Sequence, residues 1–366
     1  MYTCGPTVYD YGHIGNFRTF VFQDILRRYL KYKGYEVTQI MNLTDVDDKT
    51  IKGAQLEGIS LKKYTDKYTK AFFEDLNTLN IEEAEHYPKA TEHIEVMVKM
   101  IKKLIENGYA YQSGGAVYFD ISKFRNYGKL SGIKTKTTTR KSRIKKDEYK
   151  DEARDFALWK PWNKDEGDVF WETELGKGRP GWHTECSAIA NLYLGSLFDI
   201  HSGGVDLIFP HHENEIAQSE AVNDRRFANY WLHVEHLILE GEKMSKSLEN
   251  IYTVRDIIKK GYSGRTIRYL LSSAHYRTQL NFTDTGLMQA ESSLERLQDF
   301  IRRLKRFNEG KNNPESTKMC QEIGKKFEVE MDNDLNIPGA LSAIFDFLRE
   351  INRLMDTSSV SKLNAN

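Results

Sequence analysis

Residues 1–41 contain the pattern that most restricts what this chain can fold into. The apolar, β-favouring segment 1–8 is broken by a Gly-Pro turn, and apolar residues then recur at helical spacing over 17–29. A second short apolar segment, 37–41, follows the glycine that ends the helix. Strand, helix and strand in this order form the unit of a parallel sheet, whose ligands bind beyond the carboxyl ends of the strands. We therefore predict an α/β fold built on a Rossmann-like parallel sheet.

The rest of the chain predicts an insertion into this sheet and a helical end. Apolar stripes indicate helices over 61–79 and 94–105, whereas 109–179 contains short aromatic strands, glycine turns and a polar run. Strand and helix alternate again from residue 181, and 231–239 is apolar enough for one late strand. Beyond residue 247 the spacing of apolar residues is helical. We expect a sheet domain split by an insertion and followed by a helical domain.

Composition excludes several classes of protein. Among 366 residues, 53 Lys and Arg balance 53 Asp and Glu, which excludes a globally basic nucleic-acid coat. No apolar run approaches the ~18 residues of a membrane span, and no charged-then-apolar leader begins the chain. Its three cysteines, Cys4, Cys186 and Cys320, are widely separated and odd in number, so a disulfide framework is not expected. We predict a cytoplasmic monomer without a membrane segment, with reduced thiols that are available to a metal.

The segment 181–218 has the densest collection of chemically active side chains. It contains Cys186, His201, His211, His212, Glu213 and Glu215. If a strand ends at 207–209 and a helix begins at His212, then His211 and Glu215 lie one turn apart on the same face. A thiolate, an imidazole and a carboxylate form a donor set that suits Zn²⁺, which takes four ligands or leaves one position for substrate.

Other interpretations of this segment are simpler. The H-E-x-x-H pattern of metalloproteases fails because Ile216 stands where the second histidine is required. His211 and Glu215 alone would more often belong to a solvated helix start, and Cys186 alone would more often be a core thiol. A second isolated cysteine, Cys4, ends the first predicted strand and supplies a fourth ligand. This addition favours a metal site.

Residues 13–16, with the sequence His-Ile-Gly-Asn, begin the first predicted helix. A helix N-terminus presents unpaired N–H groups and a partial positive charge, and Gly15 permits close approach to the backbone. His13 and Asn16 could donate to a phosphate there, although an ordinary capping turn is the simpler interpretation. The pattern by itself is weak evidence for a nucleotide site.

Lys243 and Lys246 lie in the sequence Lys-Met-Ser-Lys-Ser. Such a loop, well downstream of a phosphate-binding helix start, suits the neutralisation of charge as pyrophosphate leaves, whereas its composition alone indicates a solvated loop. The chain lacks a P-loop motif, so nucleotide binding requires another device. A further basic run, 140–146, could touch a nucleic-acid backbone but is more typical of a solvated face.

Several strings resemble one family. The first helix start and the lysine loop are similar to the two signature motifs of class I aminoacyl-tRNA synthetases. More specific similarity to the cysteinyl-tRNA synthetase family comes from the strings CGPTVYDYGHIGN, NLTDVDDK, ATEHI, DFALWK, GKGRPGWHTECSA and FPHHENEIAQS. The resemblance extends from residue 1 to about residue 354 and covers nearly the whole chain.

The resemblance implies roles for individual residues. It implies a single zinc ion held by Cys4, Cys186, His211 and Glu215, and contacts to L-cysteine from Gly5, Thr44 and Trp182. For ATP it implies that His13 and Asn16 contact the phosphates and that Gly204 and Asp206 contact the adenosine. It further implies that Lys243 and Lys246 stabilise the transition state. The implied reaction is ATP-dependent formation of cysteinyl-adenylate, with Mg²⁺ accompanying ATP, followed by transfer to tRNA(Cys). Because zinc binds a thiolate far better than a hydroxyl, it would distinguish cysteine from serine without an editing domain.

The same resemblance implies a division into domains. The expected domains are a first catalytic half over 1–92, a connective insertion over 93–175, a second catalytic half over 176–228, a linking domain with the lysine loop over 229–285, and a partial tRNA-binding helical bundle over 286–366. Family members have additional residues before the first cysteine and a small anticodon-recognising module after the bundle. We expect the present chain to be short at both ends by comparison.

Two alternatives stay open from the sequence. A related ligase joins cysteine to an aminosugar through the same adenylate, and it also lacks an anticodon module. The helix-start motif and the predicted helices over 287–354, which resemble the start of a tRNA-binding bundle, favour a tRNA ligase over it. A paralogue that binds zinc or RNA without catalysis is the second alternative, and two intact signature motifs argue against it.

Overall fold

The computed structural model describes residues 1–133, 154–244, 251–306 and 314–356. The basic run 140–146 and Lys246 therefore lie outside the described residues. The described chain forms two compact units. Unit 1 comprises Met1–Gly12, Val37–Glu74 and Glu82–His233, and unit 2 comprises His13–Glu36, Asp75–Ile81 and Val234–Asn366.

Strands and helices alternate at first and helices dominate later. The strands are β1 (Tyr2–Thr3), β2 (Ile40–Met41), β3 (Ala110–Ser113), β4 (Ala116–Phe119), β5 (Phe156–Pro161), β6 (Trp171–Thr173), β7 (Gly176–Pro180), β8 (Phe198–Gly204), β9 (Ala228–Val234), β10 (Leu237–Leu239), β11 (Glu242–Lys243) and β12 (Leu280–Phe282). The helices are α1 (Ile14–Tyr32), α2 (Asp48–Glu57), α3 (Leu61–Thr78), α4 (Ile94–Glu106), α5 (Trp182–Leu194), α6 (Glu213–Asn223), α7 (Val254–Lys259), α8 (Gly264–Ser272), α9 (Asp284–Arg306), α10 (Pro314–Asp332) and α11 (Ile337–Asp356).

Unit 1 contains the predicted parallel sheet. Its strand order is β2-β1-β8-β9, and β1 runs parallel to both β2 and β8. Tyr2 is opposite Ile40 on one side and His201 on the other, so the chain leaves β1 and β2 at the same edge of the sheet. Cys4 and Asn42 lie just beyond these strand ends. This arrangement confirms the predicted α/β fold and places polar residues where a parallel sheet binds its ligands.

The predicted insertion is a separate antiparallel sheet within unit 1. Its strand order is β3-β4-β5-β7-β6, and the described pairs are all antiparallel. Phe119 stacks on Phe156 with ring centroids 5.0 Å apart, and Trp159 is completely buried. Side chains of this sheet, of α4 and of α5 share one apolar core with the parallel sheet. The insertion therefore supports α5 and the site described below.

Unit 2 combines a small sheet with long helices. The sheet has the order β11-β10-β12, and α8 packs against α9 while α10 packs against α11. A second apolar core joins α9 to α11 around Phe300, Leu348 and Ile351. The helical end that the sequence predicts is thereby confirmed. Among the described residues, no helix combines the length and apolar character needed to cross a membrane.

Several local predictions are wrong. β1 and β2 pair over only two residues each, and the strand expected at 207–209 ends earlier, at Gly204, because a tight helical turn begins at Val205. The segment 231–239 forms two strands in different sheets rather than one. Helix α2 was not predicted. Its start is nevertheless encoded, because the Asp47 side chain accepts from the backbone N–H of Lys49.

Candidate metal and substrate site

Four predicted ligands converge in unit 1. Cys4 follows β1, Cys186 lies on α5, His211 lies in the turn before α6, and Glu215 lies one turn into α6. One candidate ligand atom from each residue lies within 4.8 Å of the others, and all four residues are buried. Phe209 has extended backbone angles that kink the chain before α6, and His211 then lies one helical turn before Glu215 on the same face. The proposed four-ligand set is therefore assembled by the fold.

Glu215 is held on both oxygens. Its Oε1 lies 3.0 Å from Nε2 of His211, and its Oε2 lies 2.9 Å from Nε2 of His201. The His201 ring stacks on Trp231 with centroids 4.4 Å apart, and burial lowers the pKa of His201 to about 3. When Glu215 is ionised, as a bound cation favours, a neutral His201 donates its Nε2–H to Oε2 and leaves the other carboxylate oxygen facing the cluster.

His212 belongs to the same cluster, although the sequence prediction set it aside. Its Nε2 lies 3.4 Å from the Sγ of Cys4, and its Nδ1 lies 2.8 Å from Nε2 of His233. Cys4, His201, His212 and Glu215 form a second set with metal-binding spacing that shares two members with the first. The H-E-x-x-H test could not find it, because the partners of His212 come from strands rather than from its own helix.

The directions in which the pKa values of these residues shift indicate whether the residues suit a metal ion. Burial raises the pKa of the Cys4 thiol well above its usual range, and neighbouring Cys186 raises it further. Burial likewise raises the pKa of Glu215 and lowers the pKa of His211. Without a cation these buried groups favour their neutral forms. A divalent cation supplies the charge that stabilises a thiolate and a carboxylate, and two sulfurs with one imidazole and one carboxylate match a zinc donor set.

Trp182 borders the cluster at the start of α5. Its indole stacks on the His211 ring with centroids 4.3 Å apart, yet the residue is 38% exposed. His183 Nδ1 lies 2.8 Å from Nδ1 of His211, and burial lowers the pKa of His183 to about 3. The aromatic side chain therefore extends from the buried His211 ring to the surface.

A hydrogen-bond chain connects the two strand ends to α5. The backbone N–H of Gly5 donates to Oδ1 of Asn42 over 3.1 Å, and Nδ2 of Asn42 lies 3.2 Å from Oγ1 of Thr44. Thr44 in turn donates to Oε2 of Glu185 over 2.8 Å. A Cβ on Gly5 would fall 1.8 Å from the backbone oxygen of Asn42, so only glycine fits there. The sequence prediction missed Glu185 in this chain.

The helix-start motif forms a reciprocal cap in unit 2. Nδ1 of His13 accepts from the backbone N–H of Asn16 over 3.2 Å, and Oδ1 of Asn16 accepts from the backbone N–H of His13 over 3.2 Å. This is a capping box, in which each side chain satisfies the other residue's backbone donor. The simpler interpretation, an ordinary cap, therefore describes the geometry, and it is compatible with an anion at the same helix start.

Residues on either side of the lysine loop approach this cap within unit 2. Gly15 is crowded, because a Cβ there would lie 2.8 Å from Cε of Met244 and 3.0 Å from Nδ1 of His13. The backbone N–H of Ile14 donates to the carbonyl of Tyr252 over 2.9 Å. Lys243 lies on β11. Within unit 2, Met244 of the lysine loop and Tyr252 just after it therefore lie next to the start of α1.

Gly204 and Asp206 lie together in unit 1. Gly204 ends β8, and Asp206 is exposed in the helical turn that follows. They occupy the carboxyl end of a central parallel strand, where nucleotides bind to sheets of this type. Cys4 follows the neighbouring parallel strand β1, so it lies at the same edge of the sheet as Gly204 and Asp206.

Comparison with known proteins adds independent information. Residues 1–292 match the family model described as the tRNA synthetases class I (C) catalytic domain, and residues 326–366 match the DALR domain. The cysteine–tRNA ligase of Chlamydia muridarum is 52% identical over 367 residues, with 99% of this chain and 77% of that protein covered. The cysteine–tRNA ligase of Protochlamydia amoebophila is 50% identical, with 100% of this chain and 77% of that protein covered.

Solved structures support the fold. A Mycobacterium tuberculosis methionyl-tRNA synthetase bound by methionyl-adenylate aligns with a TM-score of 0.73 at 14% identity, over 97% of this chain and 83% of that one. At this identity the likeness concerns the fold alone. The family model, which matches well over half of the chain, and the relatives at about half identity lead to one conclusion. The chain belongs to the cysteine–tRNA ligase family of class I aminoacyl-tRNA synthetases.

Proposed function

We propose that this chain activates L-cysteine with ATP and transfers the cysteinyl group to tRNA(Cys), using a zinc site to select the thiol. The observation that supports this most strongly is the convergence of Cys4, Cys186, His211 and Glu215 in a chain of this family. A soft, buried donor set beside an aromatic wall suits recognition of a sulfur-containing substrate.

Zinc would be held by these four residues. When bound, it supplies a position of soft Lewis acidity at which a thiolate coordinates much better than a hydroxyl. The protein itself arranges the donors. Cys4 and Cys186 come from a strand end and a helix, and His201 holds one oxygen of Glu215 through the contact described above.

We assign the remaining positions in their own units. In unit 1, Gly5, Thr44 and Trp182 contact the amino acid, and Gly204 and Asp206 contact adenosine. In unit 2, His13 and Asn16 contact the ATP phosphates, and Lys243 and Lys246 stabilise the transition state. The cap of α1 supports the phosphate assignment, because it fixes His13 at a helix N-terminus.

The reaction needs no protein nucleophile. The carboxylate of cysteine attacks the α-phosphorus of ATP, and the bond to pyrophosphate breaks as cysteinyl-adenylate forms. The terminal ribose hydroxyl of tRNA then attacks the adenylate carbonyl and releases AMP. The protein accelerates both steps by positioning the reactants and by stabilising the developing negative charge.

We further propose a cytoplasmic monomer with Mg²⁺ accompanying ATP, and the domain boundaries given above. The test is an ATP–pyrophosphate exchange screen over amino acids, combined with zinc analysis and charging of tRNA. We expect exchange with cysteine, a serine signal lower by orders of magnitude, and transfer to tRNA(Cys). Exchange with cysteine followed by transfer to an aminosugar instead of tRNA would contradict the proposal.

A further inference from the structure

The geometry points to Glu185 as the residue that binds the α-ammonium group of the substrate cysteine. This inference rests on the proposed function, because it concerns the same amino-acid site. It starts from a buried carboxyl oxygen, Oε1 of Glu185, which has no hydrogen-bond partner among the described residues.

Glu185 stands apart from the other buried carboxyl groups of unit 1. In the described chain these are Asp45, Asp155, Glu166, Glu213 and Glu215. Each has a partner on both oxygens: Asp45 from Thr91, Asp155 from Ile121 and Tyr111, Glu166 from Arg179 and Asn163, Glu213 from Gly128 and Ser131, and Glu215 from His211 and His201. A buried polar atom without a protein partner is costly and requires an explanation such as a ligand, an ion or a water that satisfies it.

The position of Glu185 connects it to the substrate site. Its Oε2 accepts from Thr44 over 2.8 Å, and Thr44 is one of the residues assigned to cysteine. Glu185 also precedes Cys186 on α5 and lies three residues, about one turn, after Trp182. Glu185 therefore bonds the threonine assigned to the substrate, is next in sequence to a proposed metal ligand, and lies about one turn from the proposed wall of the pocket.

The chemistry of cysteine leaves one polar group to be recognised. In the proposed reaction its sulfur goes to the metal, and its carboxylate must stay free to attack ATP. The remaining group is an ammonium ion, which requires a negatively charged acceptor when it leaves water. Because Thr44 occupies Oε2, Oε1 of Glu185 is the acceptor in place for it.

The experiment compares cysteine with 3-mercaptopropionic acid, which has the same thiol and carboxyl groups and lacks the amine. KM for cysteine and Ki for the analogue are measured by pyrophosphate exchange in the wild type and in Glu185→Gln, with zinc content determined for both. A charge-assisted hydrogen bond corresponds to roughly tenfold or more in affinity. We expect Glu185→Gln to raise KM for cysteine by about that factor, with the analogue's Ki and the zinc content nearly unchanged.

Glu166→Gln is the matched control, because it removes a different buried carboxylate in unit 1 that pairs with Arg179. We expect its ratio of cysteine to analogue binding to equal that of the wild type. If Glu185→Gln weakened the binding of cysteine and of the analogue equally, the carboxylate would have a purely structural role and the inference would be overturned. Unchanged binding of both compounds would overturn it as well.

The wild type provides a test that does not depend on a variant folding. If it binds the analogue as tightly as cysteine, the ammonium is not recognised and the inference fails. Absence of any cysteine-dependent exchange in the wild type would instead contradict the proposed function, so the two failures are distinguishable.

Discussion

The two regions that contain the predicted functional residues are built in different ways. The candidate metal cluster of unit 1 is made of buried side chains that bind one another, such as His201 on Glu215. The helix start of unit 2 is half-exposed, and its side chains bind backbone groups, as His13 and Asn16 do. One region depends on side-chain chemistry in a dry interior, and the other depends on the geometry of the backbone.

This difference determines what substitution should do. In a buried cluster, each side chain supplies hydrogen bonds or charge to its neighbours. One substitution is therefore expected to alter metal affinity and substrate binding together. At a capped helix start, a substitution that preserves the backbone contact preserves stability, whatever it does to a ligand. The following predictions test this contrast in order of decreasing effect.

The largest effect is expected for Cys186→Ser. A hydroxyl in this buried position is a poor zinc ligand, and a direct ligand should matter at least as much as an outer-shell residue. We therefore expect zinc affinity and cysteine activation to fall by at least about 100-fold, as measured by metal analysis and pyrophosphate exchange. Cys320→Ser is the control, because Cys320 is exposed and should leave both values unchanged. Full zinc occupancy with unchanged cysteine affinity would refute the ligand assignment.

Arg18→Met tests backbone support in unit 2. The buried Arg18 guanidinium donates to the backbone carbonyls of Glu235, His236, His275 and Thr278. Removing it takes a donor from all four carbonyls. Those of His236 and His275 keep backbone donors from Leu280 and Thr278, whereas those of Glu235 and Thr278 depend on Arg18, so we expect a cost of about 2 kcal/mol in the free energy of unfolding. We expect faster hydrogen exchange around these carbonyls and unchanged zinc content.

Arg302→Met is the control for Arg18→Met, because Arg302 is an exposed arginine with one surface ion pair. It should change stability by less than ~0.5 kcal/mol. Loss of zinc from Arg18→Met would mean that a backbone change in unit 2 alters the candidate metal site of unit 1. That result would contradict the contrast between the two regions.

Regular structure explains which parts of the site could be predicted from the sequence. Cys4 could be assigned because parallel strands end at a common sheet edge, and His211 could be paired with Glu215 because helical residues four apart share a face. Both relationships depend on periodicity alone. Cys186 was already part of the donor set of segment 181–218, and the family resemblance implied the same four ligands, which the fold brings together.

The contacts that the sequence did not predict arise where periodicity ends. Residues 205–207 form a tight helical turn and Phe209 kinks the chain instead of ending a strand, and this irregular backbone places His212 against Cys4. Glu185 lies among small and apolar residues of α5, and this sequence context does not identify its partner. Its burial against Thr44 follows from the long-range packing of α5 near the end of β2, which no local pattern reveals.

His201→Phe should have a smaller effect than loss of a ligand. Phenylalanine preserves stacking on Trp231 but removes the N–H that lies 2.9 Å from Oε2 of Glu215. We expect zinc affinity to fall at least about tenfold, as for other outer-shell partners of metal ligands, when measured by competition with a chelator. His201→Gln retains a donor and should recover part of the loss. Equal affinity in all three proteins would contradict a role for His201 in orienting the carboxylate.

The smallest effect on stability, and the sharpest test of the contrast, is expected at Asn16. Asn16→Ala removes the acceptor for the His13 N–H and should cost about 1 kcal/mol or less, because a capping contact is lost at an exposed helix start. Asn16→Asp retains that oxygen and adds a charge that favours the helix N-terminus, so its melting temperature should equal or exceed that of the wild type. The same charge repels phosphate, so KM for ATP should rise while zinc content and cysteine binding stay constant. An unchanged KM for ATP in Asn16→Asp would show that the motif is only a structural cap. An equal loss of stability in Asn16→Ala and Asn16→Asp would show that the backbone contact does not stabilise this helix start, and the contrast with the buried cluster of unit 1 would then fail.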